Sequence, residues 1–456
     1  MKKIKTDPNK IYEKILKDIK PNSEEVKSIT ASANTLMSRL KNIVDKNVEL
    51  RVAGSIARGT NLKGNADIDI FMLFSNKINR HTLEKMGLEY GKRLANKKYG
   101  ERYEIKYAEH PYVRVYLKTG LRADIVPAFK IENIEDLATA VDRTPLHTDF
   151  INTHLNAKQR DEVRLLKYLL KSHFIYGAES KTSGFSGYLC EILIHHFGSI
   201  TELLNWFSTV KLPVTLYPKT KEIEYKCEKR FGSNFVVIDP VDPNRNVAAA
   251  VSIEALARLV LISRMFIEHP STSIFYGKGF SSLESKSLLN KFLKDTKLDM
   301  FIITVNLADK SADVTWPQLR KLSTIISDNV KKYGFETYLS FPVIHHDKGL
   351  VVILSNKSIL GTRLFKGPEI FETKSTSDFI TKHSKSFGFV MKGGTIYTLD
   401  RNKYASVKDA LSDMIKNKKI HGRKDASLNK SVVISGRVPA RYAFSIYAEL
   451  VKQLGI

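Results

Sequence analysis

The segment Arg51-Val-Ala-Gly-Ser-Ile-Ala-Arg-Gly-Thr60, followed by Asn65-Ala-Asp-Ile-Asp-Ile-Phe71, constrains this chain more than any other. Residues 48–53 and 66–74 are short and rich in β-branched and aromatic side chains, so both read as strands, and Gly54 and Ser55 leave the first one directly. Side chains alternate faces along a strand, so Asp67 and Asp69 share one face while Ile68 and Ile70 turn into a core. Two carboxylates held that close repel in a partly desolvated cleft, which implies a cation, and oxygen ligands with room for water favour Mg²⁺. Asp124, in Arg122-Ala-Asp-Ile-Val-Pro127, lies on a further expected strand. Placed beside Asp67 and Asp69, it completes the triad of a two-metal site. Gly54 lets backbone N–H groups approach a phosphate, the Ser55 hydroxyl can donate to it, and Arg58 adds a forked cation of matching geometry. A Gly-Ser turn or an Asp-x-Asp strand alone carries little; together they read as a magnesium–triphosphate site.

Charge points to the same partners. Lys and Arg number 73 against 48 Asp and Glu, a formal +25 over 456 residues, and such an excess gains affinity for nucleic acid with every phosphate it neutralises. A solvated basic surface is the alternative. With 43% hydrophobic residues the chain can build several cores, which excludes wholesale disorder and collagen. Two cysteines, Cys190 and Cys227, make neither a zinc quartet nor a disulfide framework, and Cys190 reads as inert packing. No export signal is expected at the N-terminus. The apolar stretch 247–267 is interrupted by Glu254, Arg258 and Arg264 and reads as a buried helix, with no membrane partner. A cytoplasmic location is the expectation.

The pattern predicts a multidomain α+β chain. Apolar residues at helical spacing predict two opening helices, the first carrying Ile11, Ile15 and Ile19, the second capped by Ser23 with Val26, Ile29, Ala33, Leu36, Leu40 and Ile43 on its stripe. Strands at 48–53, 66–74, 103–108, 112–117 and 121–128, with a helix at 81–97, form one mixed sheet. Helical pattern returns over 145–174, with Val163, Leu166, Leu169 and Leu170 inward and Lys158, Arg160, Arg164, Lys167 and Lys171 around the rest. Helices at 185–210 and 252–268 flank a polar stretch with Lys219, Lys221, Lys226, Lys229 and Arg230. Beyond Pro270, strand 300–307, helix 316–333 and strand 350–354 suggest a small α/β sandwich. The chain closes with a basic run (Lys416, Lys418, Lys419, Arg423, Lys424) and a helix at 439–453. The P-loop, G-x-G-x-x-G, H-E-x-x-H and C-x-x-C motifs do not occur in the sequence.

The strand, Gly-Ser and Asp-x-Asp pattern resembles the nucleotidyltransferase superfamily with a polymerase β-like catalytic domain. The blocks Ala108-Glu-His-Pro-Tyr-Val-Arg114, Ala140-Val-Asp-Arg-Thr-Pro145, Glu162-Val-Arg-Leu-Leu-Lys167, Ile175-Tyr-Gly-Ala-Glu179, Gly184-Phe-Ser-Gly-Tyr-Leu-Cys-Glu191 and Asp239-Pro-Val-Asp-Pro-Asn-Arg-Asn-Val-Ala-Ala249 are similar to those of the archaeal, class I CCA-adding enzymes. The likeness runs in order from about 48 to 266 and is looser beyond 270. Where that family often has Glu as first metal carboxylate, this chain has Asp67.

The resemblance implies a template-independent tRNA nucleotidyltransferase that adds C, C and A from CTP and ATP to a tRNA 3′ end, releasing pyrophosphate. It implies a catalytic head (1–142), a helical neck binding nucleotide and tRNA (143–269) and a tRNA-binding body and tail (270–456); a homodimer is what the family suggests. Asp67, Asp69 and Asp124 would hold two Mg²⁺, and Gly54, Ser55 and Arg58 would bind the triphosphate. His147, Lys167 and Tyr176 would complete the nucleotide pocket, and Arg245 would contact the base edge. Each has a bland alternative: Lys167 a solvated lysine, Tyr176 a core residue, His147 a surface or cap histidine, Arg245 a contact to RNA phosphate. Rival readings of the chain are another template-independent RNA nucleotidyltransferase, such as a poly(A) or oligo(U) polymerase, and a non-catalytic RNA-binding protein.

Overall fold

The computed structural model describes residues 7–64, 66–95, 102–107, 109–218, 231–276, 282–307, 311–356, 361–417, 419–420, 423–424, 431–436 and 438–454. The chain divides into two compact units, Met1–Gly277 and Lys278–Ile456, so the expected head and neck lie in one unit.

In the first unit Asp7 accepts from the Asn9 amide and Pro8 opens α1 (Pro8–Ile19), a favourable helix start. α2 (Ser23–Lys41) is capped by Asn22, which accepts from the Glu25 amide at 2.8 Å; Ser23, the expected cap, is its first helical residue, and Val26 is exposed. Then come β1 (Glu49–Ala53), the single turn α3 (Gly54–Ala57), β2 (Asp67–Phe74), α4 (Arg80–Leu94), β3 (Arg102–Tyr107), β4 (Pro111–Tyr116) and β5 (Arg122–Phe129). The five strands make one mixed sheet in the order β1-β2-β5-β4-β3, with β2 and β5 the parallel pair. Ile68, Ile70 and Met72 of β2 are buried against α2 and α4. Phe71 and Leu73, on the other face, pack with Ala53 and Ala128. Asp67 and Asp69 therefore continue an apolar row towards the start of β2.

The helical part holds α5 (Arg143–His154), α6 (Ala157–Ser172), α7 (Gly187–Phe197), α8 (Ile200–Thr209), the short parallel pair β6 (Val214–Leu216) and β7 (Phe235–Val237), and α9 (Ile253–Glu268). The single helix expected over 145–174 breaks at Leu155, because Asn156 and Gln159 form a capping box that starts α6. Two expectations about burial are corrected. Arg164 and Lys167 are buried, and α9 buries one face only, with Ile253, Leu261 and Met265 exposed. α1, expected with the head, packs Ile11, Tyr12, Ile15 and Ile19 into the core of α6–α9. Cys190 is in that core, its thiol pushed up to about 12 by burial. Among the described residues no helix is long and apolar enough to cross a membrane.

The second unit runs α10 (Ser282–Thr296), β8 (Asp299–Asn306), α11 (Ala312–Lys332), β9 (Thr337–His345), β10 (Lys348–Ser355), β11 (Thr362–Glu369), α12 (Thr373–Lys382), β12 (Gly388–Lys392), β13 (Thr395–Arg401), α13 (Val407–Lys416), β14 (Lys419–Ile420), β15 (Arg423–Lys424), β16 (Val432–Ser435) and α14 (Ala440–Leu454). The expected sandwich is larger than strand, helix, strand. The antiparallel sheet β16-β8-β10-β9 packs α11 and α13 on one face and α10 and α14 on the other. Sheet β11-β13-β12 is separate. Lys219, Lys221, Lys226, Cys227, Lys229, Arg230 and Lys418 lie outside the described residues.

Candidate active site

Parallel pairing of β2 and β5 sets Asp69 opposite Asp124 and Asp67 opposite Arg122, and β1 sets Ala53 opposite Asp69. Register thus sets Asp124 beside Asp69, whereas Asp67 is set opposite Arg122. Arg122 Nε donates to Asp67 Oδ1 at 2.8 Å. Arg114, from β4, grips Asp124 with two hydrogen bonds of 2.7 Å. Asp69, between them, is pushed up to about 7 by burial first and then by the charges of Asp124 and Asp67, against the pull of Arg58 and Arg114. Among the described residues no three metal-ligating side chains form a single cluster; Asp67 and Asp124 are each paired with an arginine.

Gly54 has φ +71, and a Cβ there would lie 1.8 Å from Asp69 Oδ2. Its backbone and the Asp69 carboxylate are in contact, which places the half-buried Ser55 at the carboxylate end of the sheet. Arg58, one turn on, is buried, with Nε 2.8 Å from Glu191 Oε2, close enough for an ion pair though out of hydrogen-bond alignment. Its Nη1 lies 3.4 Å from Thr148 Oγ1.

Lys167, on α6, is 2% exposed. Its Nζ donates to Thr60 Oγ1 at 2.9 Å, Thr60 O at 3.3 Å and Glu191 Oε1 at 3.1 Å, which engages its three protons. The solvated lysine is thereby corrected. Thr60 Oγ1 donates to Glu191 Oε1 in turn. Burial alone would raise Glu191; the charges of Lys167 and Arg58 and the Thr60 hydrogen bond outweigh it and hold the carboxyl below its ordinary value. Tyr176 is set beside this cluster, its hydroxyl 3.0 Å and Lys167 Nζ 3.6 Å from the position of a Cβ on Gly187, and burial raises its phenol.

His147, on α5, and Arg245 meet at one buried carboxylate. Asp239 Oδ2 is 2.9 Å from His147 Nε2 and accepts from Arg245 Nη1 at 2.8 Å, while Oδ1 accepts from the Tyr188 hydroxyl at 3.0 Å. His147 stacks on Tyr188 with ring centres 3.8 Å apart. It is neither a surface nor a cap histidine, and burial lowers its pKa. Arg58 touches Glu191 and Thr148, and its charge also acts on Asp69, His147 and Tyr176, so residues of all three groups lie within its electrostatic reach.

Sequence reasoning missed Glu191, Asp239, Thr60, Arg114 and Tyr188. Glu191 had a signal: an acidic residue amid Tyr188-Leu-Cys and Ile192-Leu-Ile on an apolar helix is buried, and a buried charge is paired. Asp239 carries a prediction. Burial alone would raise it, but His147, the Val241 amide and Arg245 bring it from 3.8 down to about 2. A carboxyl lowered on folding stabilises the fold above its unfolded pKa and loses that as pH falls through the folded one. Asp239→Asn should cost about 2 kcal/mol at pH 7. The gap between its thermal midpoint and that of the wild type should close between pH 4 and pH 2; a gap unchanged across that range would exclude the charge as the cause.

Three families match along the chain. Residues 36–147 match the nucleotidyltransferase domain, 161–276 the tRNA nucleotidyltransferase second domain, and 299–436 the CCA-adding enzyme C-terminal domain. The CCA-adding enzyme of Methanocaldococcus jannaschii is 34% identical over 416 residues, 89% of this chain and 90% of that one. The chain belongs to the CCA-adding enzyme family. The enzymes of Thermoplasma volcanium (36% over 393 residues, 85% of this chain and 84% of that one) and Sulfurisphaera tokodaii (35% over 405 residues, 86% and 89%) agree. The candidate site spans two of the matched domains: Gly54, Ser55, Arg58, the three aspartates and His147 fall in the first, Lys167, Tyr176, Glu191, Asp239 and Arg245 in the second. Nucleotidyltransferases work with divalent metal ions, and the donors here suit one. A carboxyl raised to about 7 by burial and two neighbouring carboxylates is the electrostatic condition that a bound cation relieves.

Proposed function

We propose that this enzyme adds C, C and A, without a template, to the 3′ end of tRNA from CTP and ATP, through a site shared by a catalytic head (1–142) and a helical neck (143–269). The observation that carries this is the pairing of Asp69 with Asp124 against Gly54, in a chain of the CCA-adding family. Held by Asp67, Asp69 and Asp124, two Mg²⁺ ions would supply Lewis acidity at the attacking 3′-hydroxyl and the leaving pyrophosphate. The chain's own residues do the rest. Ser55 donates to the triphosphate, and Arg58, with the field of buried Lys167, opposes its charge. Lys167 acts through that field, since its protons are engaged by Thr60 and Glu191. His147 and Arg245, steadied by Asp239, face the nucleotide, and Arg245, about one-third exposed, keeps donors for acceptors on cytosine and adenine. Unpaired donors left by the wrong base give the discrimination. The basic body and tail (270–456) would hold the tRNA.

Purified protein given Mg²⁺, a tRNA transcript lacking its tail and all four nucleotides should incorporate two C residues and one A, and stop. A long run of A would reassign the chain to poly(A) polymerisation. No incorporation by the folded protein would leave it an RNA-binding protein.

A further inference from the structure

We propose that Glu191 is a positioning residue for nucleoside triphosphate, the internal counter-ion that aims Arg58 at the phosphates and holds the charge of Lys167 beside them. This rests on the reading of those two cations as triphosphate-binding. Glu191 is 0% exposed, Arg58 7% and Lys167 2%, and the two cations come from segments more than a hundred residues apart. Glu191 gives one oxygen to each: Oε2 faces Arg58 Nε at 2.8 Å and Oε1 accepts from Lys167 at 3.1 Å. Thr60, donating to Glu191 and accepting from Lys167, closes the ring.

Two arrangements follow. The group of two cations and one carboxylate carries net charge +1 in a region that excludes water, where a further anion is strongly favoured. A guanidinium is planar, so a carboxylate on its Nε side fixes where its remaining donors point. Arg58 keeps Nη donors beyond the 3.4 Å approach to Thr148, and its charge reaches Asp69, Tyr176 and His147, the groups that line the nucleotide site. Gly187, one helical turn before Glu191 on the same face of α7, leaves room for the Tyr176 hydroxyl and Lys167 beside it. The helix thus brings a glycine gap and a single negative charge under the phosphate-binding cations. A negative charge here costs attraction for the ligand and returns geometry. Without it Arg58 and Lys167 repel each other and lose their fixed directions.

The test is nucleotide kinetics on the full-length enzyme with Glu191→Gln, Arg58→Ala and the double variant. The amide introduced by Glu191→Gln retains an acceptor for Thr60 and Lys167 and lacks the charge. Glu191→Gln should raise KM for CTP and for ATP together by about tenfold or more, with kcat at saturating nucleotide falling less than about threefold, the signature of lost binding rather than lost chemistry. On an Arg58→Ala background the same change should add less than about threefold, because a residue that acts through Arg58 has little left to act on. KM within threefold of wild type in folded Glu191→Gln, or full additivity with Arg58→Ala, overturns the proposal. Should Glu191→Gln fail to fold, Glu191→Asp, which keeps the charge on a shorter arm, gives the same readout. A raised KM with kcat retained supports positioning, whereas a lower melting temperature with KM unchanged assigns Glu191 to the fold alone and overturns it. If Arg58→Ala leaves both KM values unchanged, the reading of the cations fails with it; if Arg58→Ala raises KM and Glu191→Gln does not, the role of Glu191 alone fails.

Discussion

Asp124→Asn should lower single-turnover incorporation of CMP by about a thousandfold or more, roughly 4 kcal/mol of barrier, while tRNA affinity changes less than about tenfold. Asn has nearly the shape of Asp, so Arg114 keeps an acceptor and β5 keeps its register with β2. The charge is what disappears, at the one position of the three whose carboxylate is buried beside Asp69. A +25 chain is expected to draw tRNA affinity from many phosphates, to which one buried carboxylate would add little. Rapid-quench incorporation and filter binding on one preparation separate the two quantities. A variant that kept a tenth of the wild-type rate would remove Asp124 from the chemistry.

Gly54→Ala should reduce kcat by about a hundredfold, on the scale of a 1 Å displacement of a reacting group. The added methyl would lie 1.8 Å from Asp69 Oδ2 and 2.8 Å from its Cγ, and the backbone at φ +71 disfavours any L side chain. Asp69 cannot withdraw, because β2 is paired on both sides, to β1 at Ala53 and to β5 at Asp124. Its side chain must leave its present position, and the geometry of the Asp69–Asp124 pair changes with it. A thermal melt within a few degrees of wild type would show that the lost rate comes from the displaced carboxylate; wild-type kcat would mean the contact with Gly54 has no part in the reaction.

The strands that carry the carboxylates were legible because alternation along Asp67-Ile-Asp-Ile70 leaves one arrangement with isoleucine inside and aspartate out. Gly54 and Ser55 were legible because glycine at the end of a strand permits the turn that the nearby Asp-x-Asp strand calls for. The start of α6 was also on the page, in Asn156 and Gln159 at capping-box spacing, yet the long apolar period over 145–174 concealed it. Arg164 and Lys167 were misplaced for a related reason. Periodicity sorts residues by hydrophobicity, and Arg164 is buried by donating to the carbonyls of Gly59 and Asn61, far away in the chain. α1 was assigned to the head because it comes first, although its isoleucines complete the core of α6–α9.

Local spacing therefore settled which residues belong to a strand end, a turn or a helix face, and which of them carry charge suited to phosphate and metal, because those properties depend on neighbours a few residues away. The pairing of charges did not follow from it. Asp124 meets Asp69 through a parallel register, Glu191 joins Arg58 to Lys167, and Asp239 joins His147 to Arg245. Apart from the local Asp239–Arg245 pair, six residues apart, each of those encounters joins residues at least 24 positions apart, and a buried ion finds such a partner by position in space, on which sequence spacing is silent.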